Sequence, residues 1–299
     1  MSTRHIHCVA DDGQVLPAVE TGQGPPLVLL HGWTSSHAAW APLVADLAQH
    51  HRVIRPDARG HGGHPWPAQP LPDLPRLARD LQCWIDDVGA ERVSVVGHSM
   101  GALTLWQYVR DFGTARLDRL CVLDQSPKLM TDADWALGIY GDFDAQRAAA
   151  FSARLRQDLP EAVLALAAHG LNTRAFESYA RNGSGWQRLR QMLRAWPAEP
   201  LAALWDDLVA RDWRDVLPRI DRPTLLIYGT QSNFYRAEVG DYVARHTPQA
   251  TLLRYEGADH SPHLMHPQRF VQDWHAFYRA PSTGTADHGT PFDGLKAGG

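Results

Sequence analysis

Cysteine is scarce: Cys8, Cys83 and Cys121 are the only three in 299 residues. They lie far apart in the sequence, show no metal-ligand spacing, and are odd in number, so no complete internal set of disulfides is available to them. They read as buried apolar residues of a reducing compartment. A second absence is that of any apolar run long enough to span a bilayer, and the N-terminus, Met1-Ser2-Thr3-Arg4-His5-Ile6-His7, lacks the apolar core of a secretory signal. A third is that of excess charge. Lys and Arg number 29 against 33 Asp and Glu, and the net charge of −4 provides no long-range attraction for a polyanion or an acidic membrane. Nucleic acid and membrane are therefore not expected as partners, no metal is expected, and the expected location is cytoplasmic. No internal repeat is visible, and the oligomeric state is left open.

What the chain does have is an alternation of short apolar runs with helical patterns. Residues 5–9 and 15–20 flank Asp12-Gly13, a hairpin signal. Pro25-Pro26-Leu27-Val28-Leu29-Leu30 reads as a strand covered on both faces, ending in His31-Gly32-Trp33. A helix is expected at 38–49, with Trp40, Leu43, Val44 and Leu47 on one face. The strand 52–57 then enters the glycine-rich turn Ala58-Arg59-Gly60-His61-Gly62. A proline-rich loop is expected at 65–75, a helix at 77–88, a strand at 93–97, a helix at 100–112 and a strand at 117–123. Between 128 and 217 no strand is evident. Helical patterns at 145–157, 160–168, 187–196 and 200–208 replace it, with dense aromatic residues. The earlier rhythm returns with strand 224–228, helix 236–246, strand 250–255 and helix 267–278, and the tail 281–299 has no apolar pattern and reads as disordered.

One stretch carries chemistry. Val93-Ser94-Val95-Val96 runs into Gly97-His98-Ser99-Met100-Gly101, and a helical pattern follows, the strand, turn and helix that a nucleophile elbow requires. Glycine on either side leaves room for a strained serine at the tip. Ser99 is thereby placed at a helix N-terminus, where unpaired N–H groups favour negative charge.

With His31-Gly32-Trp33, Asp57-Ala58-Arg59-Gly60-His61-Gly62, the elbow and Asp259-His260-Ser261-Pro262 in this order, the chain resembles the α/β-hydrolase fold, in particular its capped esterases, lactonases, C–C hydrolases and cofactor-free haloperoxidases. The resemblance covers residues 5–125 and 217–280. It implies an α/β fold with a mostly parallel eight-stranded sheet flanked by helices. Residues 1–127 and 217–280 would form the catalytic domain, and 128–216 a helical cap inserted after the sixth strand.

A serine hydroxyl needs a base to take its proton. Of sixteen histidines, His260 stands where the family's Ser, acid, His order places the base, with His263 and His266 nearby. By resemblance the oxyanion hole is made by the backbone amides of Trp33 and Met100, while His31, Asp57 and Arg59 support loops. The acid departs from the usual pattern. Its common place, Gly-x-x-Asp after strand 224–228, here reads Gly229-Thr230-Gln231-Ser232, and serine brings no negative charge. Asp124, after strand 117–123, is the preferred acid. Asp259 reads as loop structure, and Glu238 and Asp241 are lesser candidates.

The implied activity is hydrolysis of a small-molecule carboxylic ester or lactone through an acyl-enzyme on Ser99, without a cofactor. Trp33, His98, Trp135, Tyr140, Trp186 and Trp213 are candidates to line the substrate pocket. Perhydrolysis, C–C bond hydrolysis and acyl transfer use the same triad, and a receptor with little turnover is the alternative from another class.

Overall fold

The computed structural model describes residues 2–62 and 71–281. Eight strands form one sheet: β1 (Thr3–Val9), β2 (Val15–Thr21), β3 (Pro26–Leu30), β4 (Arg52–Pro56), β5 (Val93–His98), β6 (Leu117–Leu123), β7 (Thr224–Gly229) and β8 (Ala250–Tyr255). Their spatial order is β1-β2-β4-β3-β5-β6-β7-β8. The hairpin β1–β2 is antiparallel and joins β4 antiparallel, and every pair from β4 to β8 is parallel. Parallel strands need crossovers, and those crossovers cover both faces of the sheet.

Alternation along the strands divides the core into two layers. Leu27, Leu29, Val96, Cys121, Leu123, Leu225 and Ile227 pack with the helices α1 (Ala41–Leu47) and α11 (Pro267–Arg279). Val28, Leu30, Val95, Leu120, Val122 and Leu226 face the opposite way. They pack with α2 (Leu74–Asp87), α3 (Met100–Phe112) and α9 (Ala237–His246). Between β6 and β7 the chain leaves the sheet and forms α4 (Ala145–Gln157), α5 (Leu159–Ala168), α6 (Thr173–Ala180), α7 (Ser184–Arg194) and α8 (Ala198–Ala210). A short α10 (Pro262–Met265) precedes α11.

Several boundaries differ from the sequence expectation for identifiable reasons. The helix expected at 38–49 is divided: His37–Trp40 is a 3₁₀ turn capped by the Ser36 hydroxyl, and α1 starts afresh with Pro42 in its first turn. The helix expected at 77–88 begins at Leu74, because the Asp73 carboxylate accepts from the Arg76 amide at 2.8 Å and Pro75 is tolerated in the first turn. Pro75 thus belongs to a helix and not to the proline-rich loop, of which 65–70 lie outside the described residues. Helix α6 was not expected. It is only eight residues long and buries no side chain, although Phe176 and Tyr179 share a face against His169, and its start is set by Asn172, whose side chain accepts from the Arg174 and Ala175 amides. The expected disordered tail lies outside the described residues except for Pro281.

The cysteines need a correction. Cys8 and Cys121 are buried, but Cys83 is half-buried, and its Sγ lies 2.8 Å from that of Cys8. Separation in sequence hid this proximity, because β1 lies beside α2 in the fold.

Candidate active site

The turn between β5 and α3 holds Ser99 at φ 53° and ψ −119°, outside the regions L-residues prefer. Both flanking glycines are required by close backbone approach. A Cβ on Gly101 would lie 2.2 Å from the Leu30 carbonyl oxygen, and one on Gly97 would lie 2.6 Å from the Ala102 amide nitrogen. The Ser99 carbonyl accepts from the amides of Ala102 and Leu103, and its N–H donates to the Leu123 carbonyl at the end of β6. The elbow is therefore tied to the strand beside it.

The next residue on that strand is Asp124, fully buried and also at positive φ, 46°. Its amide donates to the Ile227 carbonyl of β7. Its carboxylate accepts three hydrogen bonds: from the Gly229 amide at 3.1 Å, from the Ser232 hydroxyl at 2.6 Å, and from His260 Nδ1 at 2.7 Å. With the Gly229 amide and the Ser232 hydroxyl donating to this carboxylate, Nδ1 is the third donor, and Nε2 is the ring nitrogen left free of Asp124.

His260 is held at three further points. Its amide donates to Asn233 Oδ1 at 3.2 Å, its carbonyl accepts from His98 Nε2 at 2.8 Å, and its ring stands edge-on to Phe234 with centroids 4.5 Å apart. Burial pushes the His98 imidazole well below the ordinary histidine range, helped by neighbouring histidines, so it is neutral and its Nε2–H is the donor. Behind Asp124, the Tyr228 hydroxyl donates to the Gln125 carbonyl at 2.6 Å, and the Tyr235 hydroxyl donates to Gln125 Oε1. Burial, reinforced by the Asp124 charge, raises both phenols, which keeps them protonated as donors.

The loop after β3 is braced from below. His31 Nδ1 donates to the Gly32 carbonyl at 2.8 Å and its Nε2 accepts from the Ala58 amide at 3.0 Å, with burial keeping the ring neutral. Asp57 accepts from both the amide and the ring of His37. Arg59 forms paired contacts with Asp80 and Asp12. These three residues sit where loop order depends on them. The amides of Trp33 and Met100 make no hydrogen bond among the described residues, as the first turn of a helix and an open loop allow.

The candidate lining residues divide into two groups. The Trp33 ring leans on Trp205 of α8, and its Nε1 donates to the Leu201 carbonyl, joining the loop to the insert. Tyr140, at φ 57°, stacks on Phe234, which in turn contacts the His260 ring. His98 contacts His260 directly. The other three are engaged elsewhere. Trp135 donates to the Lys128 carbonyl and packs against Tyr242, Trp186 donates to Ser178 within the outer insert, and Trp213 is fully buried with its Nε1 on Gln107 of α3.

Of the competing residues, His263 is buried between Trp40 and His98, with burial lowering it to about 3. The His266 ring stands edge-on to Tyr255, Asp259 accepts from the Ser261 amide, Glu238 is exposed on α9, and Asp241 pairs with Arg254. Sequence reading missed Gln125, Asn233, Phe234 and Tyr235. Only the position of the last three, just after the usual acid turn, could have drawn attention to them.

The strand order, the insert after β6 and the elbow on β5 define an α/β hydrolase, and the family model described as alpha/beta hydrolase fold matches residues 25–267. The chain belongs to this family. It is 30% identical over 257 residues to the pimeloyl-[acyl-carrier protein] methyl ester esterase of Aeromonas hydrophila, covering 84% of this chain and 94% of that protein. It is also 29% identical over 259 residues to a non-heme chloroperoxidase of Kitasatospora aureofaciens, covering 85% of this chain and 91% of that protein. Among solved structures, the esterase RhEst1 from a Rhodococcus species superposes with a TM-score of 0.73 at 26% identity, over 93% of this chain and 98% of that one.

Proposed function

We propose that the protein is a serine hydrolase of small carboxylic esters or lactones, working through an acyl-enzyme on Ser99. The observation that carries this reading is the 2.7 Å hydrogen bond from His260 Nδ1 to the fully buried Asp124, at the same sheet edge as the strained Ser99. His260 Nε2 takes the proton of the Ser99 hydroxyl as its oxygen attacks the substrate carbonyl. Asp124 stabilises the imidazolium that forms and fixes the tautomer. The charge that moves to the carbonyl oxygen is met by the Trp33 and Met100 amides. The imidazolium then protonates the leaving alcohol, and the neutral ring activates water against the acyl-enzyme. On this reading Trp33, His98 and Tyr140 bound the acyl group, and the likeness to a methyl ester esterase favours an ester over the other bonds cleaved in this fold.

The test is a panel of short p-nitrophenyl esters, methyl esters and lactones, with a serine-directed phosphonate followed by intact mass. Wild type is expected to turn over esters and gain one phosphonyl adduct, located on Ser99, while Ser99→Ala gains none and loses turnover by orders of magnitude. An active Ser99→Ala protein would overturn the assignment. Turnover confined to peracid formation would move the reading to perhydrolysis.

A further inference from the structure

We infer that Cys8 and Cys83 are a disulfide-forming pair that staples the edge strand β1 to helix α2. Their Sγ atoms are 2.8 Å apart, so bond formation needs a further approach of only about 0.8 Å. Cys83 Sγ also lies 3.3 Å from the Val9 carbonyl, which holds its side chain over the end of β1. No third metal ligand accompanies the two sulfurs, since no group of three His, Cys, Asp or Glu suited to a metal occurs among the described residues. The pair is not sealed in the core: Cys8 is buried, but Cys83 is half-exposed, and both residues border an open surface groove with Asp11, Arg79, Gln82 and Asp87. A small oxidant therefore has access to one thiol, and the second thiol lies directly behind it.

The chemistry balances with a small-molecule disulfide as oxidant. Cys83, deprotonated by solvent, attacks one sulfur of the reagent, whose S–S bond breaks and releases one thiolate. Cys8 then loses its proton to solvent and attacks Cys83 Sγ, releasing the second thiolate. The protein's two thiols are oxidised to one disulfide, and the reagent is reduced to two thiols. Burial raises both protein thiols above the ordinary range, and Asp80 and Asp87 act on each in the same direction. Such thiols oxidise slowly near neutrality. They are also poor leaving groups, so the bond resists reduction once formed. The pair is thus suited to a lasting staple, and not to rapid cycling. It joins residues 75 apart in sequence, and the enclosed segment contains β2, β3, β4 and the loop carrying Trp33.

Full-length protein is incubated with hydroxyethyl disulfide at mildly alkaline pH, then denatured, alkylated and weighed. Wild type is expected to become lighter by two hydrogen atoms, to keep one alkylatable thiol at Cys121, and to yield a linked peptide containing Cys8 and Cys83. Closing so long a segment should raise the melting temperature by about 5 °C. Cys8→Ser should stop at a mixed disulfide on Cys83, without the thermal gain. The inference is overturned if wild type keeps three alkylatable thiols, stops at a mixed disulfide, or links Cys121. Each readout is independent of hydrolytic activity.

Discussion

The Ser232 hydroxyl donates at 2.6 Å to Asp124 Oδ2, the same oxygen that accepts from His260 Nδ1. Ser232 occupies the turn where the family resemblance places the acid, so the position that commonly carries the charge here solvates a charge supplied by the neighbouring strand. The same hydroxyl accepts from the Phe234 and Tyr235 amides, which fixes its proton toward Asp124. Serine in this turn is therefore complementary to aspartate at 124, and each residue accounts for the other.

Asp124→Asn should keep the fold and lower turnover of a p-nitrophenyl ester by about 10²–10⁴, because an amide favours the wrong tautomer and leaves the imidazolium unpaired. Ser232→Ala removes one charge-assisted hydrogen bond and should lower kcat by about 10-fold with little change in KM. Steady-state kinetics on both variants checks this. Full activity in Asp124→Asn together with inactivity in Glu238→Gln or Asp241→Asn would show that the acid lies on α9.

Gly101→Ala tests how tightly the elbow is built. The added Cβ would stand 2.2 Å from the Leu30 carbonyl oxygen, which belongs to a central strand and cannot withdraw. A stability loss of about 2–4 kcal/mol and loss of most activity are expected. Gly13→Ala is the control: it meets no atom within 4 Å and pays only for its positive φ in an exposed hairpin turn, about 1 kcal/mol. Denaturant unfolding of the two variants should separate them, and equal losses would refute the steric account.

Much of this architecture was legible in the chain because the signals were local. The run Val93 to Val96 ending in glycine, serine and glycine needed only its immediate neighbours to be read as strand, turn and helix. Asp124 was a candidate at one remove, through the absence of a carboxylate at Ser232, and the fold brings its carboxylate to His260. The remainder depended on tertiary contacts. Nothing in the sequence near Trp135, Trp186 or Trp213 says that each ring nitrogen finds its acceptor away from the elbow, at Lys128, Ser178 and Gln107. Cys8 and Cys83 meet only because the hairpin folds over α2. Helix α6 has only eight residues and buries no side chain, so its apolar face is short.

The division among the aromatic residues leads to a selective prediction. Trp33 joins the loop after β3 to the insert through Trp205 and Leu201, so on the proposed reading Trp33→Phe should change the ranking of acyl chain lengths. A lost pocket wall is worth roughly 1–3 kcal/mol of discrimination. Trp135→Ala should leave that ranking intact while costing about 3–5 kcal/mol of stability, as expected for a buried indole replaced by a cavity. Specificity constants on an ester series, measured beside melting curves, distinguish the two effects. A changed ranking in Trp135→Ala would place that residue at the substrate.

Acid should destabilise this protein earlier than its carboxylates alone would dictate. Burial lowers His51 to about 4 and His263 to about 3, against about 6.5 in an unfolded chain. Between these limits the unfolded state binds protons that the folded state refuses, so stability is fully present above about pH 6.5 and falls as pH drops toward 4. The geometry agrees with neutral rings. His51 Nε2 accepts from the Trp274 indole at 3.1 Å, which an imidazolium could not do, and His263 is enclosed by Trp40, His98 and Phe270. Each histidine should contribute about 2 kcal/mol to the loss between pH 7 and pH 5. Melting temperatures across that interval test the claim, with His263→Phe expected to flatten the profile by removing one titrating group. An unchanged slope in that variant would mean that His263 does not contribute to the acid limb.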